Sequence, residues 1–157
     1  MSPYAVTKLG NEIYADVFSR CYGLETIGLR YFNVFGPGQH GDSAYATAVS
    51  AWCQAIKDGK ECRSDGDGEQ TRDMCYIDNV VQANLKAADA LLTEEKRQAN
   101  DWGRSARCYN VACGSAVSNN EILDYLRTRF GDRVKINHAP ERVGDVKHTL
   151  ADITRIK

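Results

Sequence analysis

A tyrosine and a lysine four residues apart, Tyr4 and Lys8, stand in the first stretch of the chain, "MSPYAVTKLGNEIY". On a helix, residues at this separation share a face, so the two side chains would be neighbours. An ammonium group beside a phenol favours the phenolate, which can accept a proton from a hydroxyl group. The pair is therefore a candidate general base. The spacing alone also fits two unrelated surface residues, because a chain with eight tyrosines produces such pairs by chance.

A long amphipathic helix is predicted to hold this pair. Ser2 is a suitable N-cap and Pro3 suits the first helical turn. Gly23 is a suitable stop after Tyr22. One face of the helix is apolar at steps of three and four residues, through Val6, Leu9, Ile13, Val17 and Phe18.

Short strands and further helices alternate after this helix, which indicates an α/β fold. "ETIGLRYFNVFG" predicts a buried strand, and shorter strands are expected in "ECRS", "MCY", "RCYNVACG" and "VKINHAP". One helix is expected from Asp42 or Ser43 to Gly59. Another is expected after Asp78 or Asn79, and its buried face would comprise Val81, Leu85, Ala88 and Leu92. Ser118 and Glu121 predict a capping box for the last long helix. The polar segment over 93–106 predicts a mobile surface loop.

The composition allows a single folded domain. The chain has 157 residues, is 43% hydrophobic and 26% charged, and carries a net charge of -1. This near-neutral charge gives no electrostatic reason to expect a nucleic acid or an anionic membrane as partner. We find no apolar run long enough to cross a bilayer and no signal peptide.

Six cysteines leave two interpretations open, a disulfide framework or free thiols. Without a secretory signal or a C-x-x-C pair, the sequence favours buried, reduced thiols in a cytoplasmic protein. The three histidines have no ligand spacing, so we predict no metal site. The cysteines are Cys21, Cys53, Cys62, Cys75, Cys108 and Cys113.

Motifs along nearly the whole chain resemble the extended short-chain dehydrogenase/reductase family. They occur in the family's order as "SPYAVTKLGNEIYADVFSRCYGLETIGLRYFNVFGPGQ", "DGDGEQTRDMCYIDNVVQANLKAA", "YNVACGSAVSNNEI" and "ERVGDVKHTLAD". The likeness is to NAD-dependent nucleotide-sugar 4-epimerases, in particular those of the UDP-N-acetylglucosamine type. The order of several motifs is more specific than any one of them.

The resemblance implies roles at the cofactor end of a site. Tyr4 matches the base that exchanges a proton with the sugar 4-hydroxyl while NAD takes and returns hydride. Lys8 matches the residue that holds the nicotinamide ribose and tunes the tyrosine. Tyr31 and Phe32 match the segment whose backbone meets the nicotinamide.

The resemblance also implies a set of substrate-binding residues. Asn33 matches a diphosphate ligand, and Arg72 and Arg142 match two arginines that clamp the diphosphate, as their planar guanidinium forks suit. Asp145 matches a carboxylate that binds the nucleotide ribose. The family's uracil-pocket helix corresponds to Ala48, Val49 and Trp52.

Each of these residues also has a purely structural interpretation. Arg72 could pair locally with Asp73, and Arg142 with Asp145, in ion pairs worth little to stability. Trp52 on a helix beside Val49 is more often a core residue than a ligand wall. The usual proline of that helix is replaced around Ser50, and residues 62–64 lack the aromatic side chain frequent in relatives. The identity of the nucleotide base, uracil or another, therefore stays open.

The family's full-length enzymes are about twice as long, and their first half binds NAD through a Gly-rich turn. We find no G-x-x-G-x-x-G here. We therefore expect a truncated extended short-chain dehydrogenase fold: residues 1–40 as a remnant of the dinucleotide-binding domain, residues 41–157 as the nucleotide-sugar-binding domain, and most of the Rossmann sheet absent. We expect no NAD binding and no epimerase activity from this chain alone.

Three other functions remain open for a chain of this kind. It could be a binding module for UDP-sugars, an interaction module, or one part of an enzyme completed in trans by an NAD-binding chain. Since the helix over 3–22 would normally pack against the missing sheet, its bare apolar face predicts a homo-oligomer.

Overall fold

Helices and short strands alternate along the chain, which confirms the predicted α/β class. The computed structural model describes residues 3–43, 46–92, 107–141 and 144–157. The helices are α1 (Pro3–Tyr22), α2 (Ala48–Lys57), α3 (Ile77–Leu92) and α4 (Asn119–Phe130), followed by a 3₁₀ turn over Gly131–Arg133. The strands are β1 (Ile27–Tyr31), β2 (Asn33–Phe35), β3 (Cys62–Asp65), β4 (Thr71–Tyr76), β5 (Arg107–Val111), β6 (Ala116–Ser118) and β7 (Ile136–Ala139).

The strands of the described residues form three small sheets. Strand β1 pairs with β5 and β3 pairs with β7, both in parallel. The third sheet has the order β2-β4-β6, in which β2 runs parallel and β6 antiparallel to β4. Three of these four pairings join strands in parallel, as expected where helices connect successive strands.

The predicted strand in "ETIGLRYFNVFG" is divided into β1 and β2, which belong to different sheets. The division falls at Phe32, whose backbone N–H donates to the carbonyl of Val111 at 3.1 Å. Its predicted burial is wrong, since the residues of β1 are half-buried or exposed and Tyr31 is 48% exposed. The reason is that α1 stands away from β1 across an open cavity, described below.

Two apolar clusters hold the elements together. The larger packs α2, β3 and α4 around Trp52, Ile56, Cys62, Leu123, Leu126 and Val134. The smaller packs α3 on β4 and β5 through Cys75, Val80, Ala83 and Val111. Because burial of apolar side chains is the main favourable term in folding, these clusters fix the positions of α2, α3 and α4.

The predicted starts of two helices are corrected by the structure. Helix α2 begins at Ala48, not after Asp42 or Ser43, because Thr47 adopts extended dihedral angles and caps the helix with its side chain. Helix α3 begins at Ile77, directly after β4, and needs neither Asp78 nor Asn79 as a cap.

The buried face of α3 is also different from the prediction. Val80 and Ala83 are buried, whereas Val81, Leu85, Ala88 and Leu92 are exposed. The helix carries two adjacent apolar stripes, and the stripe that contains the small Ala83 lies on the strands. The capping box of α4 is confirmed, because Ser118 and Glu121 bond reciprocally.

All six cysteines are free thiols. Only three of them are buried, so the prediction of uniformly buried thiols is wrong for Cys21, Cys53 and Cys113, which are exposed. The segment over 93–106, for which the sequence predicts a surface loop, lies outside the described residues. None of the helices in the described ranges is both long and apolar enough to cross a lipid bilayer.

Candidate functional site

Tyr4 and Lys8 are neighbours on the first two turns of α1. The Lys8 ammonium lies 5.3 Å from the centroid of the Tyr4 ring, within the range of a cation–π contact. Tyr4 is 70% exposed, so its hydroxyl is accessible to a reacting molecule. The helix thus delivers the juxtaposition that the spacing predicts.

A cavity of about 820 Å³ lies between α1 and the β1–β5 sheet and brings together the four residues predicted for the cofactor end. Tyr4 and Lys8 line it from α1, and Tyr31 and Phe32 line it from the end of β1. The Tyr31 hydroxyl donates to the side-chain oxygen of Asn84 on α3, at 3.0 Å. This contact holds the wall of the cavity against a neighbouring helix.

An ion pair between Glu12 and Arg30 joins α1 to β1 inside the same cavity. The Arg30 Nε and Nη2 donate to the two carboxylate oxygens of Glu12, each at 2.6 Å, and this hydrogen bonding raises the pKa of Arg30. This pair was not predicted from the sequence. Glu12 follows Lys8 by four residues on the same face of the helix, which is the signal that could have found it.

A second cavity, of about 770 Å³, lies over one face of the three-stranded sheet, between α2 and α4. Its walls include aromatic rings from three elements, Phe35, Tyr76 and Tyr125, and it also contains Val49. Gln39, Ser50 and Glu121 add polar groups to its lining. Such apolar walls with a few polar groups are typical of ligand sites.

Asn33 and Arg72 lie on the sheet face that forms the floor of this second cavity. Alternate residues of a strand point to the same face, so Arg72 shares its face with Met74 and Tyr76, which line the cavity. Asn33 on β2 is the register partner of Met74 on β4. Asn33 and Arg72 therefore lie on the cavity side of the sheet, but of the predicted substrate-binding residues only Val49 lines the cavity itself.

Arg72 and Asp145, both predicted as ligand-binding residues, bind each other. The Arg72 Nη2 donates to both carboxylate oxygens, at 2.9 and 3.0 Å. The Nη1 donates to the carbonyls of Thr71 and Lys147, at 2.9 and 3.1 Å. The local Arg72–Asp73 pair considered from the sequence is wrong, because neighbouring strand residues point to opposite faces.

Asp73 has a separate structural role. Its side chain is 0% exposed, and its carboxylate accepts three backbone N–H groups. They belong to Cys113 at 2.8 Å, Gly114 at 3.0 Å and Ala151 at 3.2 Å. A single buried carboxylate thereby connects β4 to the loop after β5 and to the C-terminal part of the chain.

The segment over 145–151, here called the strap, is fixed along β4. The backbone N–H of Thr71 donates to the carbonyl of Lys147 at 2.9 Å, and the backbone N–H of Thr149 donates to the carbonyl of Thr71 at 3.1 Å. The side chains of Thr71 and His148 are in hydrogen-bond contact at 3.0 Å. Strand β4 therefore holds the strap at several points, and the strap presents Asp145.

The remaining predicted residues are placed as follows. Trp52 is 2% exposed in the larger core and donates its indole N–H to the Arg63 carbonyl at 2.7 Å, so its role in this structure is packing. Ala48 is exposed at the first position of α2. Arg142 lies outside the described residues. Within the described ranges, no group of three or more potential ligand residues is arranged to hold a metal ion.

A family model described as "NAD dependent epimerase/dehydratase family" matches residues 1–102 of the chain. The chain belongs to this family. The match extends over more than half of the chain, and it confirms the resemblance seen in the motifs.

Relatives of the family align with nearly all of the chain, but the chain spans about half the length of the relatives that it matches. A UDP-glucuronate 4-epimerase of Thermodesulfobacterium geofontis is 30% identical, with 100% of this chain and 44% of the relative covered. The structure of a UDP-N-acetylglucosamine 4-epimerase from Methanobrevibacter ruminantium, in complex with UDP-N-acetylmuramic acid, superposes with a TM-score of 0.84 at 35% identity, covering 99% and 46% of the two chains.

A Bacillus cereus UDP-glucuronic acid 4-epimerase, solved in complex with UDP-glucuronic acid and NAD, superposes with a TM-score of 0.79 at 29% identity. The alignment covers 98% of this chain and 45% of the relative. The chain thus shares the fold of about half of such an enzyme.

A G-x-G-x-x-G spacing does occur over 36–41, after β2, but the next helix begins only at Ala48. The dinucleotide fingerprint needs a helix N-terminus directly after the glycines. Close packing accounts for two of these glycines, since a Cβ at Gly36 would meet Ile77 and one at Gly41 would meet the backbone of Ser50.

Proposed function

We propose that this chain is the nucleotide-sugar-binding part of a UDP-sugar 4-epimerase. The observation that carries the proposal is the position of Asn33 and Arg72 in register with residues that line the 770 Å³ cavity, which Val49 also lines, on a fold shared with UDP-sugar 4-epimerases. The aromatic walls suit a pyrimidine or pyranose ring, and the guanidinium of Arg72 suits a diphosphate.

The proposed roles follow the chemistry of each side chain. Arg72 and Asn33 bind the diphosphate, and Arg142 is its second cationic ligand. Asp145 accepts hydrogen bonds from the ribose hydroxyls. Val49 and the exposed Ala48 provide the apolar surface for the base.

Tyr4 is proposed to exchange a proton with the hydroxyl on C4 of the sugar, and Lys8, whose ammonium contacts the ring, to position the phenol. NAD supplies the hydride acceptor in the full-length family. We propose that residues outside this chain bind NAD and that the chain alone has no epimerase activity, in keeping with the unsuitable glycines over 36–41.

Isothermal titration calorimetry tests the proposal. The purified chain is titrated with UDP-N-acetylglucosamine, UDP-glucose, UDP-glucuronate and, separately, NAD. We expect a UDP-sugar to bind and Arg72→Gln to weaken it about ten- to hundredfold, the equivalent of about 1.5–3 kcal/mol for a hydrogen bond to a charged group. Arg127→Gln is the matched control, because Arg127 is an exposed arginine on α4. Unchanged binding by Arg72→Gln would refute the assignment.

A second candidate function is self-association through α1. The apolar side chains of this helix are exposed, while its buried residues are the polar Asp16 and Ser19. Exposed apolar patches of this kind mark interaction surfaces. We propose that α1 forms a homo-oligomer. The same surface would also take an NAD-binding chain in trans, in which case activity appears only when that chain is added.

We propose a cytoplasmic location for the protein. All six cysteines are free, and free thiols are maintained in a reducing compartment.

A further inference from the structure

Both terminal nitrogens of the Arg72 guanidinium already donate to groups of the protein. Its Nη1 donates to two backbone carbonyls, those of Thr71 and Lys147. Its Nη2 donates to both oxygens of Asp145. A diphosphate that accepts hydrogen bonds from either terminal nitrogen must therefore replace one of these acceptors.

Asp145 is the acceptor that can leave. The two carbonyls belong to β4 and to the strap, which are joined by backbone hydrogen bonds on both sides of Thr71. The Asp145 side chain is 40% exposed, against 18% for that of Arg72. Rotation of this side chain toward solvent frees Nη2 without breaking the backbone pairing.

We propose that Asp145 is an internal stand-in for the diphosphate, and that nucleotide binding proceeds by exchange of anions on Arg72. The incoming phosphate oxygens take over Nη2, and the released carboxylate becomes available to accept hydrogen bonds from the ribose hydroxyls. This inference rests on the proposed function, in which Arg72 binds the diphosphate.

The exchange makes the site selective for a complete nucleotide over a simple anion. Inorganic pyrophosphate must displace Asp145 and gains nothing from the displaced carboxylate. A nucleoside diphosphate displaces the same carboxylate, but its ribose hydroxyls then donate hydrogen bonds to that carboxylate. The ion pair thus lowers the affinity for pyrophosphate more than the affinity for UDP.

The test compares pyrophosphate with UDP by calorimetry, using the full chain and Asp145→Asn. We expect Asp145→Asn to bind pyrophosphate about two- to fivefold tighter, since a partly exposed ion pair contributes up to about 1 kcal/mol and 1.4 kcal/mol is tenfold. We expect the same variant to bind UDP no more tightly than the unmodified chain. Asp145→Ala is a second variant with the same expectation, and circular dichroism checks that both variants are folded.

Asp67→Asn is the matched control. It removes one negative charge from a carboxylate that pairs with Lys147 of the strap, at 3.6 Å, without touching Arg72. A general electrostatic effect would tighten both ligands equally in this control and in Asp145→Asn, and that result would overturn the inference. Unchanged or weaker pyrophosphate binding by Asp145→Asn would overturn it too, as would an absence of pyrophosphate binding in both chains.

Arg72→Gln separates the two proposals. If UDP binds this variant as tightly as the unmodified chain, the proposed function is wrong. If Arg72→Gln loses UDP while Asp145→Asn fails to gain pyrophosphate affinity, the proposed function stands and the anion exchange is wrong.

Discussion

Replacement of the buried Asp73 by asparagine is expected to weaken the attachment of the strap to β4. The Asp73 carboxylate accepts one N–H on Oδ1, from Cys113, and two on Oδ2, from Gly114 and Ala151. Asparagine offers a single acceptor oxygen, and its amide N–H₂ must face at least one of these backbone donors.

The magnitude follows from the lost acceptor. A hydrogen bond to a charged group contributes about 1.5–3 kcal/mol, and a buried donor left without a partner costs about 1–3 kcal/mol. The smaller cost of burying a neutral amide offsets part of this loss. We therefore expect Asp73→Asn to lower the free energy of unfolding by about 2–4 kcal/mol, a large part of the ~5–15 kcal/mol typical of a domain.

Urea unfolding followed by circular dichroism measures the global change, and amide hydrogen exchange locates it. We expect the amides of Gly114 and Ala151 to exchange faster in Asp73→Asn than in the unmodified chain. Asp124→Asn is the control, because Asp124 is exposed and its ion pair with Arg127 is long, at 3.7 Å. The reasoning is refuted if Asp73→Asn unfolds within about 0.5 kcal/mol of the control, a difference typical of surface substitutions, and Ala151 remains protected.

Three further predictions concern the cap of α4, the surface of α1 and the thiols. Hydrogen bonds from Ser118 lower the pKa of Glu121 below its ordinary value of 4.5, so its contribution to stability is complete above that pH and is lost as the pH falls through the folded-state pKa. The stability advantage of the unmodified chain over Glu121→Gln should therefore shrink below about pH 4.5, as urea unfolding at a series of pH values will show; a constant difference would contradict this. Ile13→Glu should reduce the sedimentation coefficient at high concentration, whereas Leu85→Glu on the exposed face of α3 should not; equal effects would argue against association through α1. Burial raises the pKa of the Cys53 thiol, so alkylation followed by mass spectrometry should find it slower than Cys21 although both are exposed, and equal rates would contradict the assignment.

Features specified by neighbouring residues could be predicted from the sequence. The extent of α1, the capping box of α4 and the contact of Lys8 with Tyr4 all depend on residues within four positions of one another. Local hydrogen bonding and helical spacing determine such features, and no distant partner has to be known.

Features that depend on distant partners could not be predicted. The division of one expected strand at Phe32 reflects the separate partners of β1 and β2, and the sequence around Phe32 contains neither partner. The predicted buried face of α3 was wrong because two apolar stripes lie side by side on the helix. Only the strands beneath the helix determine which stripe is buried. The Arg72–Asp145 ion pair joins β4 to the strap, two segments far apart in the chain. The sequence therefore predicted both residues as ligand-binding residues but did not predict their contact with each other.

The parallel pairings also determine when this chain can fold. Ile27 pairs with Arg107, and Cys62 pairs with Ile136, so each early strand needs a partner that is made much later. At about 5–20 residues added per second during synthesis, β1 waits on the order of 4–16 s for β5 to be made. Long-range pairing of this kind slows folding, because the loop must close before the contacts stabilise it. The last third of the chain therefore sets the time at which the first third acquires its structure, and until then the edge of β1 is open to chaperones and to other unfinished chains.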